Sequence, residues 1–255
     1  MLHSIRVRRA QGWQFIPDPR TASPKGLRGL PHIGAAPCGE GCHACRDVCS
    51  TGAIKLDPFR LDLGLCIFCG ECAEVCPDGK ITFTDDFKLA STSRDALIRR
   101  DGDQAMPPIV ASAALKQLFG RSLKLRQVSA GGCNGCELEL NATANVNFDL
   151  GRWGIDWVAS PRHADALVLT GPITVNMARA LRLAWDGMPA PKFVIAVGAC
   201  AISGAPYHDS PATERGFHDK FPPQLYVPGN PPHPLTFING LLDLLGILGI
   251  SGARR

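Results

Sequence analysis

Eleven cysteines carry the chemistry available to this sequence, and they fall into three words. The first word is Cys38, Cys42, Cys45 and Cys49, and the second is Cys66, Cys69, Cys72 and Cys76, followed by Pro77. The third is the pair Cys133 and Cys136, set in the glycine-rich turn Gly131 to Gly135, with Cys200 farther along. The second word reads C-x2-C-x2-C-x3-C-P. Three closely spaced thiolates can grip three irons on one face of a cubane, and the fourth cysteine of each run reaches the cluster gripped by the other run. That logic assigns Cys38, Cys42, Cys45 and Cys76 to one 4Fe–4S cluster, and Cys66, Cys69, Cys72 and Cys49 to a second. Zinc is the competing chemistry. The pairs Cys42–Cys45 and Cys66–Cys69 stand at the edge of a zinc-ribbon spacing, but zinc leaves Cys49, Cys72 and Cys76 without a role.

Each of the first two words is followed by a turn and a short alternating stretch, Ala53 to Asp57 in one case and Ile81 to Thr84 in the other. This internal repeat, within residues 36–85, resembles the bacterial-type two-cluster ferredoxin. The first word departs from that pattern twice. Three residues separate Cys38 from Cys42 where two are usual, which bulges the loop at Cys38, and Ser50 stands where proline is usual.

The third word needs a different support. It follows the alternating run Leu123 to Val128 and precedes a stretch that opens like a helix. A strand ending in such a turn places its cysteines at the carboxyl edge of a sheet, where open α/β sheets bind their ligands. Glycines there let backbone N–H groups approach the sulfurs of an anionic cluster. Cys200 follows the apolar run Phe193 to Val197, and a fourth position lies within Val227 to Pro232. Further strands are expected at Gly154 to Val158, Ala166 to Thr170 and Leu225 to Val227. A helical stripe of Ile173, Met177, Ala180, Leu181 and Ala184 follows Gly171-Pro172, and a closing helix runs from Leu235 to Leu248. The alternation of strand and helix implies a parallel sheet with helices on both faces, as in flavodoxin-like folds.

The expected organisation is therefore an irregular arm (1–35), an α+β ferredoxin-like domain (36–85), a linker (86–122) and an α/β flavodoxin-like domain with a parallel sheet (123–255). The linker carries a short helix from Ala111 to Phe119. Trp13 and Phe15 of the arm are expected to pack on the domain that follows.

With 45% hydrophobic and 20% charged residues, the 255-residue chain is an ordinary globular one. A net charge of +4 implies neither nucleic acid nor an anionic membrane surface as partner. The cysteines are too sparse and odd in number for a disulfide scaffold. Arg8-Arg9 is followed by polar residues and prolines where a secretory signal requires an apolar region. The expected compartment is the reducing cytoplasm, where clustered cysteines bind metal. The longest apolar stretch, Leu241 to Ile250, is interrupted by Asp243 and falls short of the ~20 residues of a spanning helix, so a membrane complex would recruit the chain through partners. No nucleophile triad, phosphate loop or dinucleotide fingerprint is present.

Four longer words carry a second resemblance: GGCNGCELEL (131–140), SPRHADALVLTGPIT (160–174), VGACAISG (197–204) and YVPGNPPHP (226–234). In these the chain is similar to the small electron-transfer subunit of group 4 membrane-bound nickel–iron hydrogenases and to the 20 kDa subunit of respiratory complex I. The resemblance implies one further 4Fe–4S cluster, at the interface with a catalytic large subunit, with Cys133, Cys136 and Cys200 as ligands. The family's fourth ligand is a cysteine in a VPGCPP motif, and here that position is Asn230. An amide is a poor iron ligand beside three soft thiolates. Three arrangements fit the departure: a four-iron cluster whose odd iron is held by Asn230, water or a partner; a 3Fe–4S cluster; or an empty, structural site. His233 is a further nearby donor. By resemblance Glu137 lies near the interface and serves proton movement, although a carboxylate there also suits a helix N-terminus. Arg162 and His163 are implied to lie by the cluster, Arg162 offsetting its charge, or else merely capping a strand end.

The implied role is an electron wire with no active site of its own, the reaction centre lying on another chain. Its implied partners are a hydrogenase- or complex-I-like large subunit, membrane-arm subunits and a soluble electron donor, at the inner face of the cytoplasmic membrane. The alternative is a ferredoxin carrier whose C-terminal domain is a docking scaffold with a degenerate site.

Overall fold

The structure is a computed structural model that describes residues 2–12, 15–22 and 24–247, so Trp13 and Leu248 lie outside it. The arm opens with helix α1 (Leu2–Gln11) and ends in strand β1 (Pro31–Ile33). The cysteine-rich part follows as α2 (Ala44–Val48), β2 (Ile54–Leu56), β3 (Phe59–Asp62), α3 (Glu71–Glu74), β4 (Ile81–Phe83) and β5 (Ile98–Arg100). Strand β1 pairs antiparallel with β4, and β2, β3 and β5 form a second antiparallel sheet. The arm is thus not irregular, because its last residues complete a two-stranded ladder beside the second cysteine word.

The C-terminal part contains α4 (Ala113–Phe119), β6 (Leu123–Ser129), α5 (Gly135–Ala142), β7 (Ile155–Trp157), β8 (Ala166–Thr170), α6 (Val175–Asp186), β9 (Phe193–Val197), α7 (Ala199–Ser203), α8 (Gly216–Lys220), β10 (Leu225–Val227) and α9 (Pro234–Leu244). Its five strands are all parallel in the order β10-β9-β8-β6-β7. In chain order this is the doubly wound 2-1-3-4-5 arrangement of flavodoxin-like sheets, whose switch point falls between β6 and β8. Strands β8 and β9 are apolar runs buried at every residue, as the centre of a sheet covered on both faces requires. Successive residues alternate between two cores. Leu167, Leu169, Val194 and Ala196 face one, and Ala166, Val168, Ile195 and Val197 face the other.

The first of those cores does not stop at the sheet. It continues through Ala201 and Ile202 of α7 into Leu61, Leu63, Cys66, Cys72 and Ile81 of the cysteine-rich part. The two parts are therefore packed against each other rather than strung on a spacer. Residues 86–122, expected to be a linker, contribute to both. Strand β5 completes the β2-β3 sheet, Ser91 bridges to Tyr226 of β10, and Phe119 of α4 packs on Phe193. Helix α4 starts two residues inside the expected segment because Ser112 accepts the N–H of Leu115 as an N-cap.

Helix α9 is apolar nearly all round, which requires cover on every side. The arm supplies part of it: Asn239 donates to Pro19 O, and Arg20 pairs with Asp243 and donates to Ile247 O. Segment 86–112 supplies more, with Ala90 against Gly240 and Ser112 N–H on Leu244 O. The helix ends at Leu244, short of the expected Leu248, with Gly246 in a left-handed conformation just beyond.

Candidate metal centres

The carboxyl ends of the parallel strands and the loops of the cysteine-rich part hold all eleven thiols. Helix α2 is a single turn that carries Cys45 inward, and α3 does the same for Cys72. Cys38, Cys42, Cys45 and Cys76 form one neighbourhood. Burial raises the Cys45 thiol above its usual range, and the charges of Cys38, Cys76 and Cys42 raise it further. Burial likewise raises Cys38, against the lowering charge of Lys80, with Cys42 and Cys76 adding to the rise. Cys66, Cys69, Cys72 and Cys49 form the second neighbourhood. Burial, then the charges of Cys72, Cys49 and Cys69, push Cys66 up to about 12. Burial, then Cys69, Cys49 and Cys45, push Cys72 up to about 11. Cys76 thus sits with the first word and Cys49 with the second, and the charge of Cys45 is felt at Cys72, so the two groups are neighbours.

The surroundings of the two groups differ. Cys38 and Cys42 line an open cavity of about 540 Å3 that also exposes His43, Arg46 and Asp101. The second group surrounds a much smaller void of about 20 Å3, walled by Val48, Ile54, Leu61 and Phe83, with Cys69 exposed at its rim. Backbone N–H groups point at sulfur in both: Lys80 N to Cys76 Sγ at 3.2 Å, Phe68 N to Cys66 Sγ at 3.3 Å and Ala53 N to Cys49 Sγ at 3.3 Å. Lys80 is a buried cation beside Cys38, anchored to Asp101 at 2.9 Å and to the carbonyls of Ala36 and Gly34.

The third group is built by glycine. Gly198 has φ +88°, and a Cβ on it would lie 2.6 Å from Cys136 Sγ. Gly171, after β8, lies against Gly132, after β6, so closely that neither could carry a side chain without displacing backbone. These close approaches, at the switch point of the sheet, bring Cys133, Cys136 and Cys200 together. Burial, then the charges of Glu137, Cys200 and Cys133, push Cys136 up to about 12, while burial and Cys133 raise Cys200 against the lowering charge of Arg215. The loop carrying Asn230 wraps the same place. Ala199 N–H bonds Gly229 O at 2.9 Å, and Pro231 lies beside Gly135 and Cys133. Asn230 and Cys133 are exposed, Cys200 is half-buried and Cys136 is buried.

Thiols that raise one another's pKa values in this way repel as bare thiolates. A cationic core among them relieves that repulsion, and N–H donors at sulfur favour it, so the donor set suits iron–sulfur ligation. Among the described residues no three His, Cys, Asp or Glu side chains gather as they would around a single metal ion.

Other expected site residues lie elsewhere. Arg162 and His163 are exposed in the short turn Pro161–His163. That turn packs near Gly187, just past α6, and Asp165, which follows it, bonds Lys124 near the start of β6. This is the edge of the sheet opposite the cysteines. The cation that does reach Cys200 is Arg215, which no spacing signal in the sequence singled out. His233 Nδ1 accepts the N–H of Leu235, capping α9. Glu137 stands in the first turn of α5 and accepts a 2.6 Å hydrogen bond from Thr170 Oγ1 at the end of β8.

Residues 133–244 match the family described as NADH ubiquinone oxidoreductase, 20 Kd subunit, and residues 59–79 match the 4Fe-4S binding domain. A probable membrane-bound hydrogenase subunit of Pyrococcus furiosus is 38% identical over 130 residues, covering 51% of this chain and 78% of that protein. The chain belongs to the 20 kDa NADH ubiquinone oxidoreductase subunit family. Formate hydrogenlyase subunit 7 of Escherichia coli is 42% identical over 53% of this chain and 53% of its own length. A subunit of the F(420)H(2) dehydrogenase of Methanosarcina mazei is 44% identical over 44% of this chain and 60% of its own. The matched segments begin and end within the C-terminal part for the family and around the second cysteine word for the 4Fe-4S domain.

Proposed function

We infer that this chain is an electron-transfer subunit of a membrane-bound oxidoreductase complex, carrying electrons between its cysteine-rich half and a catalytic large subunit. In this reading the cysteine-rich half is a two-cluster ferredoxin module, with Cys38, Cys42, Cys45 and Cys76 on one 4Fe–4S cluster and Cys66, Cys69, Cys72 and Cys49 on the other. Cys133, Cys136 and Cys200 hold a third cluster, with Asn230 beside its fourth position. When bound, such clusters supply one-electron chemistry over a wide range of potentials. The chain itself supplies thiolates, N–H donors at sulfur and flanking cations.

One observation carries this reading. The segment leading into Cys66 is docked on the helix that carries Cys200, through the 2.6 Å hydrogen bond from Ser203 Oγ to Gly64 O and through packing of Gly64 on Ile202. The second cysteine group thus lies between the first and the strand-edge one, an order suited to relay. Electrons arrive at the open Cys38 side and leave at the exposed Cys133. The relatives' names cover a hydrogenase, a formate hydrogenlyase and an F(420)H(2) dehydrogenase, and the reaction belongs to the partner chain. No helix among the described residues is long and apolar enough to cross a membrane, so the proposed attachment, at the cytoplasmic face, is through partner subunits.

The exposed amide of Asn230 favours a second reading, in which the C-terminal part is a docking scaffold and only the cysteine-rich half carries electrons. An iron count per chain, taken on anaerobically purified protein, separates the two. The relay reading expects about twelve irons, or about eleven with a three-iron cluster, and the scaffold reading about eight.

A further inference from the structure

Arg215 stands in the loop just before α8, and its guanidinium fans across the carboxyl end of α7. It donates to the carbonyls of Cys200 at 3.3 Å, Ala201 at 3.2 Å and Ile202 at 2.8 Å, and to Pro172 in the loop after β8 at 3.4 Å. Helix α7 spans only five residues, so these carbonyls have few partners within the helix itself. One side chain thereby fixes the helix that carries Cys200 to the loop that follows β8, which itself presses on the Cys133 turn.

Arg215 forms no ion pair among the described residues, and its hydrogen bonds run to carbonyls. The contrast with its neighbour Arg94 is direct, since Arg94 is held in a two-pronged pair by Asp62 at 2.8 and 2.6 Å. The groups whose charges reach Arg215 are Arg94, which repels it, and Cys200 and Asp219, which attract it, Asp219 being exposed to solvent. Half-buried and held by carbonyls rather than by a paired carboxylate, its positive charge reaches Cys200 in the strand-edge site.

We propose that Arg215 is the positioning cation of the strand-edge cluster, holding Cys200 in place and stabilising the reduced state of the iron–sulfur group bound there. The proposal rests on the third cluster of the functional reading. Reduction adds one negative charge to the cluster, and a nearby fixed cation in a poorly solvated setting favours the more negative form, which raises the midpoint potential. A group serving only as a helix cap would affect folding and leave the potential alone.

The test is a redox titration of the full-length chain followed by electron paramagnetic resonance, with iron counted in each preparation. Arg215→Gln is expected to lower the midpoint of the strand-edge cluster and leave the two clusters of the cysteine-rich half where they are. Arg215→Lys keeps the charge but loses most carbonyl contacts, and is expected to retain a near-native potential with weakened retention of iron. Asp219→Asn keeps every hydrogen bond of Arg215 and removes the exposed opposing charge. It is expected to shift the midpoint upward, and it tests the proposal even if Arg215→Gln fails to fold. An unchanged midpoint in Asp219→Asn and in an iron-replete Arg215→Gln would overturn the proposal and leave Arg215 a cap. A native protein with about eight irons per chain would instead remove the third cluster, and the relay reading with it.

Discussion

Ser203 donates its hydroxyl to Gly64 O at 2.6 Å and to Ala199 O at 3.1 Å, tying the residue two before Cys66 to the residue just before Cys200. Two cysteine groups that are 134 positions apart in the chain, Cys66 and Cys200, are linked by this one side chain and two short stretches of backbone. The same junction is closed sterically, because a Cβ on Gly64 would lie 2.8 Å from the Arg94 guanidinium and 2.8 Å from Ile202.

Substitution at this junction should weaken the docking of the two parts. Ser203→Ala removes the hydroxyl shared by Gly64 O and Ala199 O and the acceptor of the Ala205 N–H, and is expected to cost about 1–3 kcal/mol. Gly64→Ala forces Arg94 or Ile202 to move, straining the Arg94–Asp62 pair, and is expected to cost about 1–3 kcal/mol. Chemical denaturation of cluster-loaded protein measures both. Equal, negligible effects would mean that the junction contributes nothing to holding the parts together.

Removal of iron should act unevenly across the molecule. The first core runs through Cys45, Cys66 and Cys72, so loss of the clusters leaves it with neutral thiols around unfilled space in place of ligands. The second core, with Leu125, Val168, Ile195, Phe237 and Leu241, contains no cysteine. Chelation is expected to raise hydrogen exchange over residues 30–100 and α7, with β6, β8 and the buried face of α9 still protected. Cluster ligation commonly supplies much of the stability of so small a core. Retained protection across the cysteine-rich part after complete iron loss would contradict this.

Much of this division was visible in the cysteine words and apolar runs. Strands at 166–170, 193–197 and 225–227 fall at the expected bounds, since apolar runs ending in glycine or proline leave little freedom. The segment 86–122 was less legible because its role lies in long-range pairing: β5 pairs with β3, and Ser91 with Tyr226, and neither partner has a local signature. Arg215 and Ser203 were invisible for a similar reason. Their partners are backbone carbonyls brought near by the sheet, and a carbonyl has no letter in the sequence. Arg162 misled because its word matched a family motif while the turn sits at the opposite edge of the sheet.

Acid should destabilise the C-terminal part through two histidines. Burial holds His218 and His233 below the usual imidazole range. His218 bonds Ala201 O through Nε2, and its buried Nδ1 has no hydrogen-bond partner among the described residues. His233 Nδ1 must stay unprotonated to accept from Leu235 N. The unfolded chain therefore binds more protons than the folded one as pH falls below about 6.5, and stability is lost across that range. It is fully present above it. Denaturation midpoints between pH 8 and pH 5.5, compared with His218→Gln and His233→Asn, should show a shallower acid slope in each variant, on the order of one proton less. Slopes unchanged by either substitution would assign the acid sensitivity elsewhere.

Asn230 provides the sharpest test of the strand-edge site. Its loop is fixed by Gly229 O on Ala199 N–H and by Pro231 against Gly135, and Asn230, between those two anchors, is exposed. With a neutral group there, a cluster on Cys133, Cys136 and Cys200 is about one charge unit less negative than a four-thiolate one and holds one iron weakly. Mild oxidation of the native protein should therefore yield a 3Fe–4S signal in electron paramagnetic resonance. Asn230→Cys should abolish that signal and lower the potential of the site. Gly198→Ala, whose Cβ would collide with Cys136 Sγ at 2.6 Å, and Cys133→Ser should each remove the iron of this site and leave the other two clusters in place. If Cys133→Ser and Gly198→Ala both keep the native iron content and spectra, no cluster sits at the strand edge. A new signal appearing only in Asn230→Cys would then identify the domain as a scaffold whose ligand set the substitution completes.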